Sequence, residues 1–331
     1  MLFRSLSAVS TGHLPAPQRV HALVDEAHQR FARCDEGRNA DYIPALAGVP
    51  STLFGVCVAQ ASGELHMAGD VDVCFSIQSI SKPFVFGLIC QAIGEDEARA
   101  RLGVNSTGLP FNSVMAVERA VQGQSNPMVN AGAIAATSLA PGDTAEAKWD
   151  FIREGLSRFA GRELTMDAVV YQSESETNQR NEGIAALLDS HQRIYCDPFE
   201  ATDVYTRQCA INVTARDLAV MAATLANGGV NPLTQEKVID AIHCQHVLAV
   251  MVTAGLYENS GDWLYDIGLP GKSGVSGGMI TVAPGKGGLA TFSPPLDAAG
   301  NSVRGQKTAV FLSAQLGLNL FASRAVVHGA V

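Results

Sequence analysis

The sequence predicts an α/β fold in which both ends of the chain build one sheet and the middle supplies helices. Three observations carry that expectation. Strand-like runs sit near the two ends, at residues 52–59, 64–68, 277–282, 288–292 and 308–314. From residue 81 to about residue 257, nearly every apolar stretch has helical spacing. The two segments best equipped for chemistry, Ser79-Ile80-Ser81-Lys82 and Gly271-Lys272-Ser273-Gly274, lie where the chain crosses from sheet to helices and back. The expected layout is a single domain over 1–331, with an α/β lobe of about 1–80 and 260–331 and a helical lobe of about 81–259. A small-molecule site belongs in the cleft between them.

Taken in order, residues 15–34 set Val20, Leu23, Val24, Ala27 and Phe31 on one face, which predicts an amphipathic helix packed on the sheet. The turn Ala61-Ser62-Gly63 joins the first two strands. Helices are expected at 83–93, 127–139, 145–159, 181–188, 214–227 with Thr214 as N-cap, and 235–257. The Pro- and Gly-rich stretches 104–111 and 294–305 read as loops.

Composition excludes several classes. At 331 residues the chain can bury roughly three quarters of its unfolded surface. Its 47% hydrophobic and 17% charged content argues against disorder. Lys and Arg number 23 against 32 Asp and Glu, a net charge of −9 with no basic cluster, so neither nucleic acid nor an anionic membrane is an expected partner. Seven cysteines without a CxxC pair read as reduced residues of a cytoplasmic protein. The start Met1-Leu2-Phe3-Arg4-Ser5 lacks the pattern of a signal peptide, and no apolar run reaches the ~18 residues of a membrane span.

Ser79 and Lys82 lie in the apolar run from Cys74 to Phe86. If a helix begins near Ser79, positions i and i+3 share a face with Cβ atoms about 5–6 Å apart, so the amine reaches the hydroxyl. Burial penalises the ammonium and lowers its pKa, which is what a lysine needs to take a proton from serine at neutral pH. Lys272-Ser273-Gly274, ahead of a strand-like run, matches the distant Lys-Thr/Ser-Gly that accompanies SxxK in penicillin-recognising serine hydrolases. It is not the tail of a P-loop, because Asp266 stands where that motif needs glycine and a strand follows instead of a helix. His243 and His246 share a helix face without a third ligand motif and read as structural or surface residues, so no metal is expected. Asn130 sits among small residues and must find a polar partner. Tyr171-Gln172-Ser173-Glu174 and Arg180-Asn181-Glu182 form a polar island that, by itself, reads as a solvated interhelical turn.

These segments converge on a family. Tyr42-Ile43-Pro44, Gln78-Ser79-Ile80-Ser81-Lys82, Pro110-Phe111-Asn112-Ser113, the block from Asn126 to Ile134, Ser173-Glu174, Arg180-Asn181, Tyr205, Gln208-Cys209, Lys272-Ser273-Gly274-Val275, and Ser293-Pro294-Pro295-Leu296 with Gly300-Asn301-Ser302 closely resemble the serine-dependent glutaminases. The resemblance runs in order from about residue 25 to about residue 322. It implies the β-lactamase/transpeptidase-like fold, with an antiparallel sheet flanked by helices and a large all-α lobe. It also implies hydrolysis of L-glutamine to L-glutamate and ammonia, no metal or organic cofactor, and a homodimer or homotetramer. Ala210, Ser276 and Ala45 depart from the family pattern without touching its catalytic letters.

The resemblance further implies that Ser79 attacks the carboxamide carbon while Lys82 takes or relays its proton. The backbone N–H groups of Ser79 and Val275 are the oxyanion donors it suggests. Tyr257 matches the tyrosine that bonds the serine, either relaying the proton to ammonia or activating the hydrolytic water. Glu174 would receive the α-ammonium, with Tyr42, Asn130, Asn181, Tyr205, Tyr257 and Val275 lining the pocket. A β-lactam-reactive hydrolase or sensor shares SxxK and Lys-Ser-Gly, but Ser125-Asn126-Pro127 stands where a clean Ser-Asp-Asn is expected.

Overall fold

The computed structural model describes residues 13–110, 112–118 and 124–323; Met1 to Ser5 and Phe111, used above, lie outside that range. Helix α1 (Pro17–Phe31) starts on a proline, whose missing N–H is no loss at that position, and buries Val20, Leu23, Val24 and Ala27. After the single turn α2 (Pro44–Ala47), β1 (Gly55–Gln60) and β2 (Leu65–Gly69) form a hairpin. A two-residue strand β3 (Phe75–Ser76) and a 3₁₀ turn over Gln78–Ile80 lead into α3 (Ser81–Ile93), which buries all but its last residues.

Helices α4 (Glu95–Leu102), α5 (Met115–Glu118), α6 (Asn130–Ser138), α7 (Ala145–Ala160), α8 (Ala168–Ser175), α9 (Gln179–Ser190) and α10 (Pro198–Cys209) follow. Strand β4 (Asn212–Val213) returns to pair with β3, and α11 (Ala215–Ala226) and α12 (Ala241–Ala254) come next. The chain closes with α13 (Ser260–Ile267), β5 (Gly271–Ser273), β6 (Gly278–Ala283), β7 (Gly287–Phe292) and α14 (Val303–Leu316).

The main sheet is antiparallel throughout, in the order β2-β1-β7-β6-β5. Its central pairing joins the two chain ends, with Gly55 opposite Phe292 and Gln60 opposite Gly287. Helices cover both faces: α1 and α14 on one, α11 on the other. Strands buried on both sides read as continuous apolar runs, which is why β6 and β7 were visible in the sequence. The α11 contact is unusually close. A Cβ on Gly288 of β7 would lie 2.4 Å from the Ala222 Cβ, so this crossing requires glycine facing an alanine-lined helix. Thr214 caps α11 in a reciprocal box with Asp217, as expected, and Arg162 pairs with that same carboxylate.

Three sequence expectations need correction. Residues 308–314 are part of α14, not a strand. Thr308, Ala309, Leu312, Ser313 and Leu316 are its buried face at helical spacing, and Ser302 caps its start. The helix expected over 235–257 spans only Ala241–Ala254. Ahead of it, the Asn231 side chain accepts from the Leu233 and Thr234 amides in a turn, and Gln235 takes a left-handed φ of 61°. The polar island at 171–182 is mostly helical: it ends α8, which Asp167 caps, and starts α9, with a turn only at 176–178.

Candidate active site

The Ser79–Lys82 pair is made by the join between the 3₁₀ turn and α3. The Ile77 amide donates to the Ile211 carbonyl at 2.8 Å, and Gln78 takes a left-handed φ of 51°, a costly conformation for a side-chain-bearing residue. Ser79 then stands one turn ahead of Lys82, whose Nζ donates to Ser79 Oγ at 3.0 Å and to Asn130 Oδ1 at 2.7 Å. The Tyr205 ring centroid lies 5.8 Å from the same Nζ. Lys82 is 1% exposed, and burial lowers its pKa to about 8. A share of Lys82 is therefore the free amine at ordinary pH, and the contact that now donates to Ser79 can accept its proton.

The Lys272-Ser273-Gly274 segment approaches from the sheet. Its strand β5 runs against the backbone near Gly255, where an added Cβ would fall 1.9 Å from the Gly271 carbonyl oxygen. Just beyond, Tyr257 takes a left-handed φ of 57°, and its hydroxyl donates to the Ser273 carbonyl at 3.3 Å. Burial pushes the Tyr257 phenol up to about 12, opposed by hydrogen bonds to Ser79 and Ser273. Lys272 Nζ lies 4.4 Å from the Tyr257 ring centroid and donates to the Ser273 carbonyl at 2.9 Å. Its pKa is driven well down, first by burial and then by the charge of Lys82. Two buried amines, a phenol and a hydroxyl thus converge, and mutual repulsion favours the neutral amine.

A cavity of about 320 Å³ opens in front of Ser79. Of the residues expected there, Tyr42, Ser79, Asn130, Glu174, Asn181, Tyr205 and Val275 line it. Lys82 and Tyr257 lie off its surface, and Tyr257 instead borders a second cavity of about 380 Å³. Glu174, half-buried on α8, accepts a bond of 2.5 Å from Gln78 Nε2, which also donates to Ser76 Oγ at 3.1 Å. Burial raises the Glu174 carboxyl to about 7, and the Gln78 bond works against that rise. From Asn130 a chain of amides runs outward. Asn130 Nδ2 donates to Asn181 Oδ1 at 3.0 Å, Asn181 Nδ2 to Asn178 Oδ1 at 2.8 Å, and Asn178 Nδ2 to Thr206 Oγ1 at 2.7 Å. Tyr205 closes it with a 3.3 Å bond to Asn130 Oδ1.

The backbone around Asn130 is fixed by its predecessor. Asn126 donates to Val104, Asn105 and Thr253 and accepts from the Met128 amide, and Gly132 passes so close that an added Cβ would sit 2.1 Å from the Asn126 carbonyl oxygen. Sequence reasoning gave no role to Gln78, Asn178, Thr177, Asn112 or Cys209, all of which line the cavity. Asn178 and Asn181, one helical turn apart, carried the only local signal. Among the described residues, no group of three or more His, Cys, Asp or Glu side chains could hold a metal ion, and no helix is long and apolar enough to cross a membrane.

This cavity adjoins a buried hydroxyl–amine pair and carries a carboxylate and a run of amides, groups suited to acyl transfer from a small amide that bears an ammonium group. A family model described as Glutaminase matches residues 37–321. The chain is 62% identical over 315 residues to Glutaminase 2 of Yersinia pestis, covering 95% of this chain and 93% of that protein. It is 52% identical over 308 residues to a glutaminase of Brucella canis, covering 93% and 97%. Among solved structures, a probable glutaminase, ybaS, superposes with a TM-score of 0.91 at 45% identity, over 93% of this chain and all of that one. A probable glutaminase from Bacillus subtilis complexed with 6-diazo-5-oxo-L-norleucine gives 0.81 at 31% identity, over 92% and 96%.

Proposed function

The chain belongs to the glutaminase family, has its β-lactamase-like fold and hydrolyses glutamine, and from that premise we propose that it acts through a seryl ester formed on Ser79. The observation that carries this reading is the 3.0 Å contact between Ser79 Oγ and an amine that burial has made a base near neutrality. In the first step Ser79 Oγ attacks the carboxamide carbon and its proton passes to Lys82. The oxyanion faces the backbone N–H groups of Ser79 and Val275, and ammonia leaves with a proton. Tyr257, bonded to Ser79, carries that proton or orients the water that then cleaves the ester. Loss of one oxyanion donor typically costs about 2.7–4 kcal/mol of barrier.

Recognition in this reading is polar. Glu174 takes the α-ammonium, and Asn130, Asn181, Tyr205 and Tyr42 orient the amino acid. The 320 Å³ cavity is at the lower end of the range for ligand sites, which suits a molecule the size of glutamine. Discrimination against asparagine rests on a fixed distance from Glu174 to Ser79, since one methylene in an apolar pocket is worth only about 1–3 kcal/mol. The reading includes one domain with the site between its lobes and a homodimer or homotetramer. It also includes a cytoplasmic setting, which the unpaired Cys57, Cys90, Cys209 and Cys244 of the interior support.

The test is direct. Purified protein is treated with 6-diazo-5-oxo-L-norleucine and its intact mass is measured beside that of Ser79→Ala, while ammonia release is followed from L-glutamine, L-asparagine and D-glutamine. One adduct on wild type, none on the variant and turnover of L-glutamine are expected. An equal adduct on the variant would remove Ser79 from the mechanism.

A further inference from the structure

The reacting serine has a second cavity near it. Among the described residues, the lining of the 380 Å³ cavity beside Tyr257 has nothing in common with that of the 320 Å³ substrate cavity. Its rim is exposed at Ser106, Glu258 and Gly261, and its inner end is buried at Val129, Ala254 and Tyr257. One side chain spans from it to the chemistry, since Tyr257 borders this cavity and is bonded to Ser79, which borders the other. The wall is as thin one step away, where Val129 lines this cavity and its neighbour Asn130 lines the substrate cavity.

Local hydroxyls hold the inner end in shape. Ser260 Oγ accepts the Leu256 amide at 3.1 Å and donates to the Tyr257 carbonyl at 2.8 Å, which fixes the left-handed turn at Tyr257. Thr253 Oγ1 accepts Asn126 Nδ2 at 3.0 Å and donates to the Val250 carbonyl at 2.8 Å. Glu258 is the one charged side chain in the described lining, and it stands at the rim, where ammonia on its way out becomes ammonium. Hydroxyls and aliphatic groups further in suit small neutral molecules.

The reaction sets two requirements that the substrate cavity meets poorly. While Ser79 carries the glutamyl group, that group fills the cavity and stays gripped at Glu174, yet ammonia must leave and water must enter. By microscopic reversibility the water attacks from the position that ammonia vacates, so one passage serves both. We propose that the cavity beside Tyr257 is that passage, carrying ammonia away from the reacting centre and water to it, while glutamine and glutamate use the substrate cavity. The inference rests on the seryl ester of the preceding section. Ammonia departs when the carbon–nitrogen bond breaks. Water then adds its oxygen to the same carbon, returns one proton to Ser79 Oγ as the ester bond breaks, and gives the other to solvent.

The experiment uses the full chain and variants outside the catalytic machinery. An added Cβ at Gly261 meets nothing within 4 Å, so Gly261→Phe places bulk at the cavity wall without a backbone clash. Leu264→Trp, one helical turn on, narrows the same wall and serves if Gly261→Phe does not fold. For each, kcat on L-glutamine and the rate of adduct formation with 6-diazo-5-oxo-L-norleucine are measured beside wild type. The diazoketone enters by the substrate cavity, loses dinitrogen that cannot recombine and needs no water, so it reads Ser79 without using the passage. We expect kcat to fall at least about fivefold, the adduct rate to stay within about twofold, and Gly261→Ala to match wild type in both. Narrowed variants whose kcat stays within about twofold of wild type overturn the passage, as does an adduct rate that falls in step with kcat. Failure of the ester shows separately, as ammonia release from glutamine by Ser79→Ala.

Discussion

The two ends of the substrate cavity are made from different parts of the molecule. At the serine end, Ser79, Lys82, Tyr257, Lys272 and Val275 are each 7% exposed or less and stand where α3 meets the sheet. At the carboxylate end, Glu174 and Asn181 ride on α8 and α9 with Asn178 at the start of α9, and these helices bury only Val170 in one case and Ile184, Ala185 and Leu188 in the other. In the proposed mechanism the difference follows from what each end must do. Proton transfer needs a desolvated amine, and only the core can supply that. Holding a charged amino acid needs polar groups that a ligand can reach, and the cavity mouth supplies those.

The largest effects should come from breaking the serine end. Ser79→Ala is expected to lower kcat by about 10³-fold or more, with a thermal midpoint close to wild type. Lys82→Met should be as inactive and should unfold no earlier, because it replaces a buried amine with an apolar chain of similar shape. Calorimetry on Lys82→Met beside wild type also tests the pKa. A lysine lowered from 10.5 to about 8 holds fewer protons folded than unfolded between those values, so wild type gains stability over that pH range and the variant does not. A Lys82→Met protein that is active, or much less stable, would contradict this account of the buried amine.

Next comes the carboxylate end. Glu174→Gln leaves the chemistry intact but strands the substrate ammonium, so kcat/KM should fall by about 100-fold, mainly through KM. Unchanged KM would remove Glu174 from recognition. A subtler test links the two ends through Gln78. Glu174 must be ionised to bind, and its pKa is raised to about 7, so kcat/KM should rise with pH through that value and on through Lys82 at about 8. Gln78→Met removes the bond that opposes the rise at Glu174, and its limb should move to higher pH; a limb that stays put would show that Gln78 does not tune it. The smallest effect is expected at Asn178→Ala, two amides from Lys82, where a few-fold rise in KM corresponds to one lost neutral hydrogen bond of about 0.5–1.5 kcal/mol.

How much of this was legible in the sequence divides along the same line. Ser79 and Lys82 are three residues apart in an apolar run, and helical geometry alone brings them together. Glu174 and Asn181 could be assigned only through the family resemblance, since polar residues on a helix look the same whether they face solvent or a cavity. Tyr171-Gln172-Ser173-Glu174 reads as an exposed turn because nothing local shows that Gln78, far away in sequence, waits for it. Residues 308–314 suggest a strand for a different reason. Seven mostly apolar residues suit a buried strand or a buried helix equally well, and the Ser302 cap that marks a helix lies upstream of them, in a stretch whose Pro and Gly content suggests a loop. The strand β5 was recognisable from Lys272-Ser273-Gly274 as a motif and not as a strand, being only three residues long.

The pairing of β1 with β7 has a consequence for how the protein comes into being. Ser79 and Lys82 leave the ribosome early, yet Tyr257, Ser273 and Val275 follow only after the whole helical stretch, and the strand that locks β6 beside β1 comes later still. A contact between such distant segments forms slowly and cannot form at all on a partial chain. During synthesis the proposed nucleophile is therefore an ordinary hydroxyl, and its surroundings are complete only when β7 enters the sheet between β1 and β6.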